Sequence, residues 1–87
     1  MLQPIDHEHV INKCLDEFNA SADGVAARLV SVGNHDFDIE IISQNLDNVV
    51  FSSADDLMAK FKKSGLRGEL SWFTKTDFDK MMVRFRI

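Results

Sequence analysis

The stretch FDIEII, residues 37–42, alternates strictly. Phe37, Ile39 and Ile41 share one side of an extended chain, while Asp38 and Glu40, with Asp36 just before them, share the other. A period of two with carboxylates on one side is the pattern of a strand that lays one face on a core and turns the other to water. Upstream, VAARLVSV (25–32) is a second strand candidate. GNHD (33–36) joins the two, and Gly33 and Asn34 are residue types that accept positive φ in a hairpin turn. Downstream, QNLDN (44–48) reads as a further turn into a short third strand, VVF (49–51).

Helical spacing brackets these strands. Val10, Ile11, Cys14, Leu15 and Phe18 form one apolar stripe, with Asn12, Lys13, Asp16, Glu17 and Asn19 on the opposite side. Asp6 suits the N-cap of this helix, and Ile5 is placed to staple onto Val10. A second stripe runs through Ala54, Leu57, Met58 and Phe61, with Ser53 as N-cap and Asp56 completing a capping box. Gly65 then stands at the position that ends a helix in the left-handed conformation, where Leu66 can fold back on Phe61. Lys60, Lys62 and Lys63 crowd the last turn, where the helix dipole favours cations.

The tail reads as a strand ELSWFT (69–74), a connection KTDFDK (75–80) that is a turn or a short helical turn, and a last strand MMVRFRI (81–87). The predicted order is α-β-β-β-α-β-β. It describes an α+β fold with a mainly antiparallel sheet and two helices packed on one face. By parity, Phe37, Ile39, Ile41, Leu70, Trp72, Val83 and Phe85 line the helix-covered face. Ile42, Phe73 and Met82, with Val30, Val32 or Val50, fall on the other.

With 87 residues, 45% of them apolar and 28% charged, the chain has the composition of a single globular domain spanning 1–87 rather than of a disordered polymer. A single cysteine, Cys14, allows no internal disulfide, which points to a reducing compartment and hence to the cytoplasm. The first residues have neither the charged nor the apolar segment of a signal peptide, and no apolar run is long enough to span a bilayer. No membrane partner is expected, and in a cytoplasmic chain the NAS sequon at Asn19 is a chance match.

Charge is divided unevenly. Residues 1–57 hold eleven acids against Lys13 and Arg28, a net of −9, whereas residues 58–87 hold eight bases against Glu69, Asp77 and Asp79, a net of +5. Such a split marks either a polyanion-binding half or two halves that pair in the fold.

Chemistry is sparse. IDHEHVINKC (5–14) gathers Asp6, His7, Glu8, His9 and Cys14, yet His7 and His9 lie about 200° apart on a helix and Cys14 falls on the buried stripe. His35 sits at a hairpin tip, where a turn role accounts for it. No phosphate loop, paired-cysteine spacing or nucleophile-base pair is present, so no catalytic residue, metal or cofactor is assigned and the chain is read as a non-enzyme.

Binding is the remaining class. Ile42, Phe73 and Met82 among Asp36, Asp38, Glu40, Arg84 and Arg86 make an apolar centre rimmed by charge, the make-up of a protein-binding face. The partner would be another protein, or a second copy in a homodimer. Small acidic regulators and inhibitors of the phage or mobile-element type occupy nucleic-acid-binding grooves with carboxylates. In that role Asp36, Asp38 and Glu40, with Asp47 on the next turn, would stand in for phosphates. The alternative is a nucleic-acid-binding module using Lys60, Lys62, Lys63, Arg67, Arg84 and Arg86, with Trp72 and Phe73 stacking on bases.

The helix-start reading of 5–14 has a direct check. Replacing His7 and His9 together by Ala is expected to change the unfolding free energy by no more than about 0.5 kcal/mol. Elemental analysis of the purified protein is expected to find no stoichiometric zinc. Zinc held by the wild type and lost with both histidines contradicts the reading.

Overall fold

The computed structural model describes residues 7–87, so the capping and stapling expected of Asp6 and Ile5 lie outside the described residues. Two helices, α1 (His7–Ser21) and α2 (Leu46–Lys63), accompany four strands, β1 (Val25–Val32), β2 (Asp36–Ser43), β3 (Leu70–Asp77) and β4 (Lys80–Arg86). The strands form one antiparallel sheet in the order β1-β2-β4-β3. The fold is α+β, with the order α-β-β-α-β-β.

The FDIEII alternation holds. Phe37, Ile39 and Ile41 are buried and lie in register with Phe85, Val83 and Met81 on β4. Against this central pair the helices set their stripes: Ile11, Cys14, Leu15 and Phe18 from α1, and Leu46, Val50, Ala54, Leu57 and Phe61 from α2. At its centre Phe61 meets Phe37 edge-on, with ring centroids 4.9 Å apart, and Phe85 at 5.3 Å. Phe37 and Phe85 stack at 5.6 Å, a geometry that adds to simple burial.

There is no third strand at 49–51. Leu46, Val50, Ser53, Ala54, Leu57 and Phe61 are all buried on one side of a single 18-residue helix, a stripe of 3.6-residue period that starts at Leu46. The β-branched pair Val49–Val50 has local strand preference, but burying Leu46 and Val50 with the rest of the stripe outweighs it. Ser53 is accordingly a buried residue inside the helix rather than its cap. The start is organised by Asn45, whose backbone N–H donates to Ser43 Oγ (3.1 Å) and whose Oδ1 accepts from Asn48 Nδ2 (2.7 Å).

The end of α2 is as the sequence predicts. Gly65 takes φ 91°, Leu66 N–H donates to Phe61 O (2.9 Å) and Gly65 N–H to Lys62 O (3.1 Å).

Three further expectations change. The β1–β2 hairpin closes with Gly33 N–H donating to Asp36 O at 2.7 Å, and neither Gly33 nor Asn34 has positive φ. Segment 75–80 does hold a turn and no helix, but the turn is confined to Phe78 and Asp79: β3 continues to Asp77 and β4 begins at Lys80. The parity of β3 is also inverted beyond Leu70. Leu70 opposes Phe85 but Trp72 opposes Arg84, so the extra residue, Ser71, forms a bulge. Trp72 therefore joins the open face, and Phe73, opposite Val83, points to the helix side.

The edges differ. At β1, the side-chain amide of Asn19 on α1 acts as a surrogate strand: its Nδ2 donates to Ala27 O and its Oδ1 accepts from Ala27 N–H, both at 2.9 Å. A bulge between Leu29 and Ser31 interrupts the same strand. Along β3, residues 71–77 are exposed on both faces of the sheet.

Core and edge aromatics should respond differently to truncation. In urea denaturation, Phe61→Ala is expected to cost about 3–5 kcal/mol, a large part of a small domain's stability. Phe51→Ala, at a ring that is 58% exposed, is expected to cost about 1 kcal/mol or less.

Candidate protein-binding face and edge

The face turned away from the helices is built in cross-strand rows. One row runs Ser31, Asp38, Arg84, Trp72 across all four strands. Ser31 Oγ donates to Asp38 Oδ2 (3.3 Å), and Arg84 grips the Asp38 carboxylate through Nε–Oδ1 (2.8 Å) and Nη2–Oδ2 (3.2 Å). The Arg84 guanidinium also lies over the Trp72 ring, 5.1 Å from its centroid, and 4.0 Å from Asp36. The next row begins Arg28, Glu40, Met82, with Arg28 Nε 2.8 Å from Glu40 Oε1. Ile42 and Met82 are half-buried on this face, and Arg86 stands in register with Asp36 without an ion pair among the described residues.

This network sets the electrostatics. The two hydrogen bonds from Arg84, helped by its charge and by Ser31, hold the Asp38 carboxyl below its ordinary value of 3.8 despite partial burial, and Asp38 in turn raises Arg84. Asp47, the fourth carboxylate of the sequence reading, lies 3.4 Å from Lys75 on β3. Asp38, Glu40 and Asp47 are thus each paired within the chain, and the face presents alternating signs rather than a row of carboxylates open to a partner.

Of the eight residues singled out for protein binding, Asp36, Asp38, Glu40, Ile42, Met82, Arg84 and Arg86 share the open face. Phe73 does not: it lies across the sheet, edge-on to Phe51 of α2, with ring centroids 5.6 Å apart. Val50 is buried in α2, and Trp72 is exposed rather than in the core. The β3 edge therefore carries Trp72 on one face and Phe73 with Phe51 on the other, at 44%, 46% and 58% exposure.

The backbone of that edge is also available. Arg86 exchanges backbone hydrogen bonds with Gly68 and Glu69 ahead of β3, while its neighbour Ile87 donates to His35 on the other side. By alternation, Arg84 and Met82 face β3, so their register partners Trp72 and Thr74 spend their backbone groups on β4. The N–H and C=O of Phe73 and Lys75 then point outward, away from the sheet.

Residues of the nucleic-acid alternative gather at the opposite end of α2, around two open clefts. One, of about 290 Å³, is lined by Lys13, Cys14, Glu17, Lys60, Lys63 and Ser64. The other, of about 400 Å³, is lined by Asn34, His35, Asp36, Arg67, Ser71, Arg86 and Ile87. The Lys62 stem lies beside Gly68. Several of these cations are already engaged: Lys60 with Asp56 at 3.8 Å, Arg67 with Glu69 at 3.3 Å, and Arg84 with Asp38.

Cys14 is buried, its Sγ 3.2 Å from Ser64 Oγ and 3.7 Å from Lys60 O. Among the described residues, no three His, Cys, Asp or Glu side chains converge as a metal-ligand set. No described helix is long and apolar enough to cross a membrane.

The Asp38–Arg84 pair gives a pH dependence of definite sign. Because the Asp38 carboxyl titrates lower in the folded protein, its contribution is complete above 3.8 and is lost as the pH falls through that value toward the folded one. Asp38→Asn is expected to cost about 1 kcal/mol at neutral pH. The gap between variant and wild type should close in acid. Urea titrations across the acid range check this, and a gap that is independent of pH contradicts it.

In comparisons with known proteins, no family model, no curated protein and no solved structure matches this chain.

Proposed function

We propose that this chain is a non-catalytic protein-binding module of the cytoplasm, a regulator, inhibitor or adaptor, that receives an extended segment of a polypeptide along the β3 edge. One observation carries the reading. By the register of β3 on β4, the N–H and C=O groups of Phe73 and Lys75 point outward, and no other strand among the described residues pairs with them, between Trp72 on one face and Phe73 with Phe51 on the other. An added strand would gain main-chain hydrogen bonds from this edge and apolar contacts on both faces, the two ingredients of strand addition.

The open face contributes specificity. Ile42 and Met82 among Arg28, Glu40, Asp38, Arg84, Asp36 and Arg86 present a pattern of alternating sign that suits a partner of matching pattern and resists large single-sign surfaces such as a phosphate backbone. The net charge of −4 also disfavours general affinity for nucleic acid. With Asp38, Glu40 and Asp47 paired inside the chain, imitation of phosphates by carboxylates has less to recommend it than docking at the edge.

The test is a pull-down from host lysate, run with and without nuclease, with tagged wild type and with Phe73→Pro. That variant deletes one outward N–H and no hydrogen bond to β4, at a position where an edge strand tolerates proline. Wild type is expected to retain a protein at near-stoichiometric level and the variant to lose it. Retention that is equal in both removes the edge from the interaction. Capture that disappears with nuclease moves the function to the basic residues Lys60, Lys62, Lys63, Arg67 and Arg86.

A further inference from the structure

The polypeptide that fits this edge best is the edge itself. Resting on the strand-addition reading above, we infer that β3 pairs with β3 of a second copy of this chain, antiparallel about a two-fold axis at Thr74. The sheet then runs through eight strands, with both helix layers on the same side.

Register is decided by three constraints. The outward backbone groups belong to Phe73 and Lys75, and bulges after Leu70 and after Lys75 confine regular pairing to the stretch between them. An axis at Thr74 sets Phe73 of each copy opposite Lys75 of the other, so all four outward pairs of groups exchange hydrogen bonds. An axis at Phe73 would oppose Lys75 to the bulged Ser71, and an axis at Lys75 would oppose two ammonium groups. Only the Thr74 register satisfies the backbone without like charges face to face.

Side chains agree with it. Thr74, opposite Met82 on the open face, meets its own copy across the axis, a favourable cross-strand pair. On the helix side, the two Phe51–Phe73 edge-to-face pairs lie diagonally across the seam, within reach of each other and of the Lys75 stems. The six half-exposed rings of the two copies, Phe51, Trp72 and Phe73 from each, represent roughly 600 Å² of accessible surface. Fully buried, they would supply somewhat over half of the ~1,000 Å² expected of a specific interface, with the backbones and flanking side chains of the seam adding to it.

The second edge supplies the reason that pairing stops at two. At β1, the backbone of Ala27 is taken by Asn19 and the strand is broken by its bulge, so the outer edges of the dimer are blocked at Ala27 and interrupted beyond Leu29. Self-association through the one open edge is therefore closed rather than fibrous.

Analytical ultracentrifugation of the purified chain tests the inference together with cysteine cross-linking, which buried Cys14 does not disturb. Wild type is expected to sediment as a dimer and Phe73→Pro at half that mass with unchanged far-UV circular dichroism. Thr74→Cys is expected to oxidise to a covalent dimer, since facing residues on the axis lie about 4.5 Å apart at Cα. Phe73→Cys, displaced by two residues from its copy, is expected not to. A wild type that is monomeric at every concentration overturns the second copy as occupant, as does a dimer indifferent to Phe73→Pro. Lysate capture that still depends on Phe73 in a monomeric wild type keeps the strand-addition reading while removing this partner.

Discussion

Everything in this fold hangs on the register in which β2 lies against β4. Opposite Phe37, Ile39 and Ile41 stand Phe85, Val83 and Met81, and opposite Asp36 and Asp38 stand Arg86 and Arg84. A slip of one residue would carry carboxylates and guanidinium groups under the helices and turn the aromatics to water, so hydrophobic burial alone specifies the pairing. The Asp38–Arg84 bridge, with Arg84 also lying on Trp72, locks the same register from the solvent side. Its energetic weight is modest because Arg84 remains well exposed. Its consequence is geometric: it spans β2, β4 and β3 and fixes where the tryptophan stands.

The uneven distribution of charge along the chain finds its use here. Acids of the first part meet bases of the last part across the sheet and between α2 and β3, as in Asp38 with Arg84 and Asp47 with Lys75. Part of the split is therefore taken up by contacts between the two halves of the fold, through Arg84 and Lys75. On the open face the charges that remain are mixed in sign, while Lys60, Lys63, Arg67 and Arg86 line the two clefts.

The two edges of the sheet are treated differently, and this asymmetry motivates the binding reading. Asn19 closes β1 from α1 with a pair of hydrogen bonds that imitate a neighbouring strand. Among the described residues β3 has no such cover, and it carries Trp72 and Phe73 on opposite faces. Unprotected strands with apolar side chains are a hazard in a soluble monomer, and one that is kept short of full regularity by bulges on both sides is suited to a defined pairing.

From the residues alone, the class of the fold was legible: the period of two in 37–42 and 81–87, the stripes of α1 and α2, and the glycine ending at Gly65 all follow from local geometry and the need to bury one face. The pairing of acids with arginines was also readable, once the two strands were supposed to be neighbours. Two things were decided only by tertiary contact. Val49–Phe51 went to helix because Leu46 and Val50 bury themselves in line with Leu57 and Phe61, a gain that no local preference of valine can match. Trp72 and Phe73 exchanged faces because Ser71 bulges against Arg84, and a bulge depends on the fit of two strands distant in sequence, with nothing in ELSWFT to announce it. The edge proposed to bind a partner rests on that one inserted residue, which is why it emerged from the folded structure and not from the chain.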